Sequence, residues 1–261
     1  MSIDKQTIET YNNAAGSYDD HVTNSVKSPL HAYYEKPAIH AELNLLDRVV
    51  LNVGCGSGRD NEWAHCQQVG SIFGIDASSA LVDIAQENFP DDNFVVMDAA
   101  NLGFRDEVFD VAYSSLTLHY LPDWLAALRE ARRVLRGRGL FVFSVNHPLE
   151  TALVKTDDQD GRTARIGRTI VNGSEERIVY GDYLAAESGG LRKIIGTVAD
   201  KHHVQYYHRT FARMIADINA SGFTIRKLVE PVPLAQMKND NPEYYKQVLA
   251  QPKFLVWVLQ K

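Results

Sequence analysis

The chain has 261 residues, which is enough for one large domain with a substantial buried core. Its hydrophobic content of 45% and charged content of 23% are those of an ordinary globular protein. A net charge of −6 argues against a nucleic-acid backbone or an anionic membrane surface as its partner. Two cysteines, Cys55 and Cys66, are too few for a disulfide framework. Because the first residues also lack a signal-peptide pattern, we expect a cytoplasmic protein.

Strand-like and helix-like segments alternate between residues 49 and 145. The apolar runs that predict strands are Val49–Val53, Ser71–Asp76, Asn93–Asp98, Val108–Ser115 and Gly139–Val145. The segments with helical periodicity are Asp60–Gln68, Ser78–Phe89 and Asp123–Leu135. This alternation predicts a parallel sheet with helices on both faces.

The regular alternation stops after Asn146. Residues 161–190 are polar and rich in glycine, and we interpret them as part of an insertion. Its two possible short strands are Arg168–Val171 and Arg177–Tyr183. The C-terminal elements that we predict are a helix at Thr210–Ala220 and strands at Phe223–Glu230 and Lys253–Gln260. The two strands could pair as an antiparallel hairpin, and the segment between them is too rich in proline for one continuous strand.

A glycine-rich loop follows the first predicted strand. Gly54, Gly56 and Gly58 form the pattern G-x-G-x-G. A dinucleotide-binding loop would have its third glycine at the position of Arg59, and the Gly-Lys-Ser/Thr ending of a phosphate-binding P-loop is missing. A strand, a loop and a helix in this order still direct backbone N–H groups at a ligand, which favours an anionic group such as a carboxylate.

An aspartate ends each of the next two predicted strands. Asp76 lies 22 residues after Gly54, where a carboxylate can accept hydrogen bonds from both hydroxyls of a ribose. Asp98 is followed by Ala99 and Ala100, and it could accept a hydrogen bond from an amino group such as that of adenine. Either aspartate could instead be a solvated loop residue.

Four segments in order resemble the motifs of class I S-adenosylmethionine-dependent methyltransferases, in the small-molecule branch called methyltransferase type 11. The segments are VLNVGCGSGRD, IFGIDAS, NFVVMDAANLGF and FDVAYSSLTLHYLPDWLAALREARRVLRGRGLFVFS, and they cover roughly Val49 to Val145. The resemblance implies an α/β, Rossmann-like, seven-stranded sheet, mostly parallel with an antiparallel C-terminal strand and with helices on both faces. It also implies S-adenosylmethionine as cofactor and methyl transfer to a small molecule.

The resemblance assigns cofactor-binding roles residue by residue. The loop Gly54–Gly58, which includes Cys55 and Gly56, would face the methionine part of the cofactor. Asp76 would hold the ribose, and Ala77 would pack on the adenine. Asp98 and Ala99 would contact the edge of the adenine, and Ser115 would lie near the sulfur. The family commonly has an acid two residues before the first glycine, where this chain has Asn52. An amide there can accept a hydrogen bond from the ammonium of the cofactor but supplies no opposite charge.

The N-terminal segment YNNAAGSYDD resembles the Y-D-x-x-A-x-x-Y-D segment that precedes many of these domains. Tyr11 and Tyr18 are seven residues apart, so they share one face of a helix. They form either an aromatic pair that docks the helix on the core or a lid over cofactor and substrate. His31, Tyr33 and Tyr34 could belong to the same cover, and His119 lies either on the ligand side or in a packing position.

Two histidines outside the matched segments are candidates for a catalytic base. His147 follows the fifth predicted strand, and the proline after it could direct the imidazole inward, while His208 precedes a predicted helix. Either could instead be structural. The spacing of histidines and cysteines gives no reason to expect a metal site.

We therefore predict one domain with four parts. These are an N-terminal helical lid at 1–46, a cofactor-binding core at 47–146, an insertion that covers the substrate at 147–207, and a C-terminal helix and hairpin at 208–261. The alternatives are a non-catalytic relative that binds the cofactor or a protein partner, and, with less support, a Rossmann oxidoreductase. Neither the methyl acceptor nor the oligomeric state can be named from the sequence.

Overall fold

A seven-stranded sheet forms the centre of the computed structural model, which describes residues 2–152, 166–171, 174–179, 183–184, 193–199 and 202–261. The strands are β1 (Val49–Val53), β2 (Ser71–Asp76), β3 (Asn93–Val96), β4 (Phe109–Ser114), β5 (Leu135–Asn146), β6 (Ile166–Val171), β7 (Ser174–Val179), β8 (Lys193–Val198), β9 (His202–Tyr207), β10 (Thr224–Val229) and β11 (Phe254–Gln260). The helices are α1 (Lys5–Thr23), α2 (Lys36–His40), α3 (Asp60–Cys66), α4 (Ser79–Asn88), α5 (Trp124–Val134), α6 (Pro148–Ala152), α7 (Phe211–Ser221), α8 (Ala235–Asp240) and α9 (Pro242–Ala250). A π-helical turn spans His31–Glu35 and a 3-10 turn spans Leu118–Tyr120.

The strand order of the sheet is β10-β11-β5-β4-β1-β2-β3. β1 to β5 pair in parallel, whereas β11 is antiparallel to both of its neighbours, β5 and β10. This confirms the predicted seven-stranded, mostly parallel sheet and the antiparallel hairpin of the last two strands. β6 pairs with β7 and β8 pairs with β9 in two separate antiparallel hairpins.

The two faces of the sheet are covered by different sets of buried residues. Along β5, Phe141 and Phe143 belong to the cluster that includes residues of α5 and α7, whereas Val142 between them belongs to the cluster that includes Ala64 of α3. Successive side chains of a strand point to opposite faces, so a strand buried on both faces reads as a continuous apolar run. These continuous apolar runs are the reason that the strand positions could be predicted from the sequence.

Side-chain caps set where three of the helices begin. Ser78 accepts a hydrogen bond from a main-chain N–H at the start of α4, Asp123 does so for α5 and Thr210 for α7. At the other end of α7, Gly222 has a φ of +86°, the left-handed conformation that glycine adopts readily at a helix C-terminus. These caps reproduce the predicted boundaries to within one or two residues.

Helix α1 lies across the carboxyl ends of the parallel strands and is fixed by side-chain hydrogen bonds. Asn12 accepts from the Ser78 hydroxyl at 2.7 Å and from the Ala80 amide at 3.2 Å, which ties α1 to the start of α4. The Gln205 amide of β9 donates to the Thr7 hydroxyl at 3.3 Å. α1 and β9 therefore enclose the edge of the sheet where the glycine loop emerges.

Several element boundaries differ from the prediction. β3 ends at Val96, two residues early, because the Asp98 carboxylate accepts a hydrogen bond from the Ala100 amide and turns the chain. The segment between β10 and β11 forms α8 and α9, in agreement with the exclusion of one continuous strand. Of the insertion strands, β6 starts before Arg168 and β7 ends at Val179, and residues 180–182 lie outside the described residues.

Within the described part of the chain, none of the helices has the length and apolar character needed to cross a membrane.

Candidate functional site

A cavity of about 480 Å³ lies beyond the carboxyl ends of β1 to β4, under α1 and the β8–β9 hairpin. This volume is within the range of sites that bind small molecules and cofactors, about 300–1,000 Å³. The described residues that line it include Tyr11, Tyr18, Gly54, Gly56, Asp76, Ala77, Asp98, Ala99, Ser115 and His119 from the sequence prediction. The topology thus brings together residues that are far apart in the sequence.

The glycine loop has a backbone that other residues would adopt only with strain. Gly54, Gly56 and Gly58 have φ values of +76°, +54° and +77°. A Cβ atom on Gly54 would lie 2.1 Å from Oγ1 of Thr117, so the side chain is excluded by space as well as by φ. The amides of Gly54 and Cys55 donate to the Ile75 carbonyl at 2.8 and 2.9 Å, which holds the loop against the end of β2.

Asp76 connects this loop to the start of α4. Its Oδ2 accepts from the Gly56 amide at 3.0 Å, and its Oδ1 accepts from the Ser78 amide at 2.9 Å. Burial raises the pKa of Asp76 above its ordinary value, although these amides act in the opposite direction. The Ala77 amide also acts on this carboxylate, and because an ionised carboxylate offers about four acceptor positions, capacity remains for a ligand in the cavity.

Asp98 lies at the next strand end along the sheet. Its carboxylate accepts from the Ala100 amide at 3.0 Å and is also contacted by the amide and hydroxyl of Ser2. Burial alone would raise the pKa of Asp98, but the hydrogen bonds from Ser2 and Ala100 outweigh it and the pKa is lowered. Asp98 therefore stays ionised at neutral pH.

Three tyrosines form the roof of the glycine loop. The Tyr11 and Tyr120 hydroxyls share a hydrogen bond of 2.7 Å, and the Tyr11 ring packs edge-on against Tyr18 and Tyr120 with centroids 5.5 and 5.7 Å apart. A Cβ atom on Gly56 would lie 3.3 Å from the Tyr18 ring, so that ring rests on the loop. Burial raises the pKa of Tyr120 to about 12 and raises the pKa values of Tyr11 and Tyr18 as well. All three phenols are uncharged at neutral pH.

A buried carboxylate that the sequence did not reveal, Glu35, lies behind the lining residues Ser115 and His31. Oε1 of Glu35, on the π-helical turn, accepts from the hydroxyls of Ser115 at 3.0 Å and Ser144 at 2.5 Å. Oε2 has no hydrogen-bond partner among the described residues and lies 3.8 Å from Nδ1 of His31, which lines the cavity. No periodicity or motif marks Glu35, because its position depends on the packing of the turn against β4 and β5.

His119 also lines the cavity. Its ring lies against Tyr120 and Tyr206 with centroids 4.3 and 5.7 Å away. Burial lowers the pKa of His119 to about 3, and the nearby Arg209 guanidinium contributes in the same direction. His119 is therefore a neutral imidazole at physiological pH.

The two histidines predicted as a base are not brought into the cavity. Nε2 of His147 lies 3.0 Å from Glu230 Oε1, and its Nδ1 accepts from the Leu149 amide at 3.1 Å. In His208, Nδ1 lies 2.7 Å from the Thr151 hydroxyl and Nε2 lies 3.0 Å from the Tyr183 carbonyl. Both imidazoles are buried, and neither is among the described lining residues. Their predicted role as a base stays a prediction that this geometry does not favour.

Three further predicted residues lie behind the lining rather than in it. Asn52 is buried, and its Oδ1 has no hydrogen-bond partner among the described residues. Cys55 is buried with its Sγ 3.6 Å from the Gly56 carbonyl, and burial raises the pKa of this thiol well above its ordinary value. A Cβ atom on Gly58 would lie 3.0 Å from Ala85 and Phe94, so this glycine serves close packing.

A parallel sheet with a glycine loop after its first strand and an acid at the end of its second defines the Rossmann-like class of nucleotide-binding proteins. Residues 51–143 match the type 11 family model described as a methyltransferase domain. The fold also matches a solved S-adenosylmethionine-dependent methyltransferase from Mesorhizobium loti, with a TM-score of 0.67 and 27% identity over 87% of this chain and 97% of that one. The family match and the fold together support a class I S-adenosylmethionine-dependent methyltransferase of the type 11 branch, with S-adenosylmethionine as its cofactor.

Curated relatives match over shorter stretches. A malonyl-[acyl-carrier protein] O-methyltransferase of Yersinia pestis is 28% identical over 146 residues, 55% of this chain and 52% of that protein. A mitochondrial arginine hydroxylase of Mus musculus is 35% identical over 95 residues, 36% of this chain and 27% of that protein. The chain thus spans about half the length of the Yersinia relative and less of the mouse one.

Proposed function

We propose that this protein transfers a methyl group from S-adenosylmethionine to a small-molecule acceptor. The observation that carries the proposal is that one cavity is lined both by the glycine loop with Asp76 and by the side chains of His31, His119 and Tyr206. We infer that the first group of residues serves the cofactor and the second group serves the acceptor. When bound, the cofactor supplies a methyl group on a positively charged sulfur.

The residues of the loop end fit the cofactor. Gly54 and Gly56 line the cavity beside Asp76, and the Asp76 carboxylate would accept hydrogen bonds from the ribose hydroxyls. Ala77 and Ala99 would pack on the adenine, and the Asp98 carboxylate would take its amino group. The methionine part would lie along Gly54–Gly58, with Ser115 near the sulfur.

The other end would hold the acceptor. Methyl transfer needs the nucleophile of the acceptor in line with the methyl group and away from water. Tyr11 and Tyr18 on α1 would close the site as a lid, while His119 would contact the acceptor as a neutral imidazole. The two thiols of the described chain, Cys55 and Cys66, are free, which supports a reducing compartment such as the cytoplasm.

Two measurements test the proposal. Calorimetry with S-adenosylhomocysteine and with NAD should give binding of the first and not of the second. Incubation with methyl-labelled S-adenosylmethionine and fractionated small metabolites should then transfer label to a product that is heavier by one methylene. Asp76→Asn should lose both signals, and Asp83→Asn, an exposed aspartate on α4, should keep them.

Three outcomes would contradict the proposal in different ways. Binding without any labelled product would favour a non-catalytic relative. A product that gains oxygen instead of a methyl group would favour the hydroxylase chemistry named for the mouse relative. Preferential binding of NAD would restore the oxidoreductase alternative.

A further inference from the structure

The π-helical turn contributes a carboxylate of which one oxygen is hydrogen-bonded and the other is not. Glu35 is fully buried, and its Oε1 already accepts two hydrogen bonds, from Ser115 and Ser144. Its Oε2 is equally buried and has no hydrogen-bond partner among the described residues. An unsatisfied buried acceptor costs about 1–3 kcal/mol, and more for a charged group, so a group of this kind calls for a functional explanation. π-Helical turns are also frequent at functional sites.

His31 lies between this oxygen and the cavity. Its Nδ1 is 3.8 Å from Glu35 Oε2, too far for a hydrogen bond but within reach of a small side-chain rotation. Nδ1 is buried without another partner in the described structure, while the residue itself lines the cavity. Catalytic hydrogen bonds are often long before ligands bind and shorten in the complex.

We propose that His31 is the base that accepts the proton of the methyl acceptor, and that Glu35 is the positioning residue that holds His31 in the reactive tautomer. This inference rests on the methyl transfer proposed above. With Nδ1–H directed at the Glu35 carboxylate, Nε2 is the nitrogen left to take a proton. Ser115 and Ser144 would fix the carboxylate in turn.

The proton balance of the step identifies the class of acceptor. The oxygen or nitrogen of the acceptor forms its bond to the methyl carbon, the carbon–sulfur electron pair stays on sulfur, and the proton of the acceptor passes to Nε2 of His31. The formally charged residues in the described lining are Asp76, Asp98 and Glu150. These carboxylates would repel an anionic acceptor. The acceptor that fits this step therefore carries no negative charge, and its nucleophilic oxygen or nitrogen still carries its proton.

The charges around His31 are compatible with a base. Burial lowers the pKa of His31, and the Glu35 carboxylate opposes that shift. Lys36 and His21 lower this pKa, Asp60 raises it, and the neutral His119 faces the same end of the cavity. The imidazole is thus uncharged and able to accept a proton at neutral pH, and turnover should fall as acid protonates it.

The decisive experiment is nitrogen NMR of the histidine side chains in the full-length protein with S-adenosylhomocysteine bound. His31→Gln identifies the His31 signals. In the wild type we expect the neutral ring to carry its proton on Nδ1, and in Glu35→Gln we expect the titration of His31 to move to lower pH. Glu87→Gln, an exposed glutamate on α4, should leave both unchanged.

Two results would overturn the assignment. One is a wild-type His31 that carries its proton on Nε2, which is decisive even where Glu35→Gln does not fold. The other is an identical His31 titration in the wild type and in folded Glu35→Gln.

Kinetics on the acceptor found by labelling give a second measurement. His31→Gln should lower turnover about 100-fold, the lower end of the usual contribution of a general base, and keep the affinity for S-adenosylhomocysteine within threefold. Wild-type turnover in this variant would refute the role of His31 while methyl transfer stood. Conversely, a failure to find any methylated product would refute the proposed function, whereas the tautomer of His31 would still be measured independently.

Discussion

Replacing Asp76 by alanine tests the cofactor end of the site most directly. The carboxylate accepts main-chain hydrogen bonds of 3.0 and 2.9 Å from Gly56 and Ser78, and in the proposed complex it also accepts from the two ribose hydroxyls. Hydrogen bonds to a charged acceptor contribute about 1.5–3 kcal/mol each, so two ribose bonds amount to roughly 3–6 kcal/mol. Water that enters the space of the lost side chain can hydrogen-bond to the ribose and recovers part of this binding free energy. We therefore expect the affinity for S-adenosylhomocysteine to fall at least tenfold, or about 1.4 kcal/mol or more.

Calorimetry on folded protein is the appropriate assay, with thermal unfolding as a check on the fold. Asp83→Ala on the exposed face of α4 is the matched control and should bind like the wild type. A dissociation constant for Asp76→Ala within threefold of the wild-type value, in a variant that unfolds cooperatively, would refute the ribose assignment.

The same site gives a dependence on pH whose sign follows from burial. Because burial raises the pKa of Asp76 above its ordinary value of 3.8, ionisation in the folded protein is opposed. The protonated Asp76 side chain therefore adds to the stability of the folded protein below pH 3.8, and this stabilisation is lost as pH rises through the pKa of the folded state. Cofactor binding needs the ionised form, so affinity should weaken as pH falls through that raised pKa. Asp76→Asn should bind weakly with no such dependence, and a wild-type affinity that is constant down to pH 3.8 would contradict the argument.

Three further substitutions test the loop, the buried histidine and the lid. Gly54→Ala should lower both the melting temperature and the affinity for S-adenosylhomocysteine. The new Cβ would clash with Thr117, and a positive φ at alanine costs about 1–2 kcal/mol. The control Gly16→Ala, in the open interior of α1, should instead raise the melting temperature. His208→Ala should lower the melting temperature by several degrees through the loss of two buried hydrogen bonds, with cofactor affinity unchanged; an unchanged melting temperature with lost turnover would instead support its role as a base. Tyr11→Phe should cost about 1 kcal/mol of stability by leaving a buried hydroxyl without its partner, and calorimetry should show weaker cofactor binding if the lid role is correct.

The sheet was predictable because each of its signals is local. Val49–Val53 and Ser71–Asp76 were predicted with the bounds that the structure gives them, since both strands are short apolar runs next to glycine or a polar turn. The helix caps Ser78 and Asp123 were legible for the same reason. A regular alternation of strand and helix then leaves few ways to connect the strands, so the fold class followed from the pattern.

The acceptor end was less predictable because it depends on contacts distant in sequence. Glu35 meets Ser144 across 109 positions, and Tyr11 meets Tyr120 across the same separation. Neither pair has a spacing that a local pattern could detect. The surroundings of His147 were not predictable for a related reason, since a residue that follows a strand can find a partner distant in sequence, such as Glu230.

In the proposed function, the residues around the cofactor and those around the acceptor are held in place by different contacts. The loop end is fixed by the sheet itself, because the amides of Gly54 and Cys55 are bonded to β2 and a change there would disturb the strand. The acceptor end is built from α1, the π-helical turn and β9, which meet the sheet through side-chain contacts such as the bond between Asn12 and Ser78. Substitutions in these outer elements alter the shape and charge seen by the acceptor at little cost to the core. Apart from His119, the residues that select the acceptor should therefore lie outside residues 51–143. A chimaera that exchanges residues 2–46 with a relative should change the methylated product, and it should alter the affinity for S-adenosylhomocysteine only by the contribution of the lid.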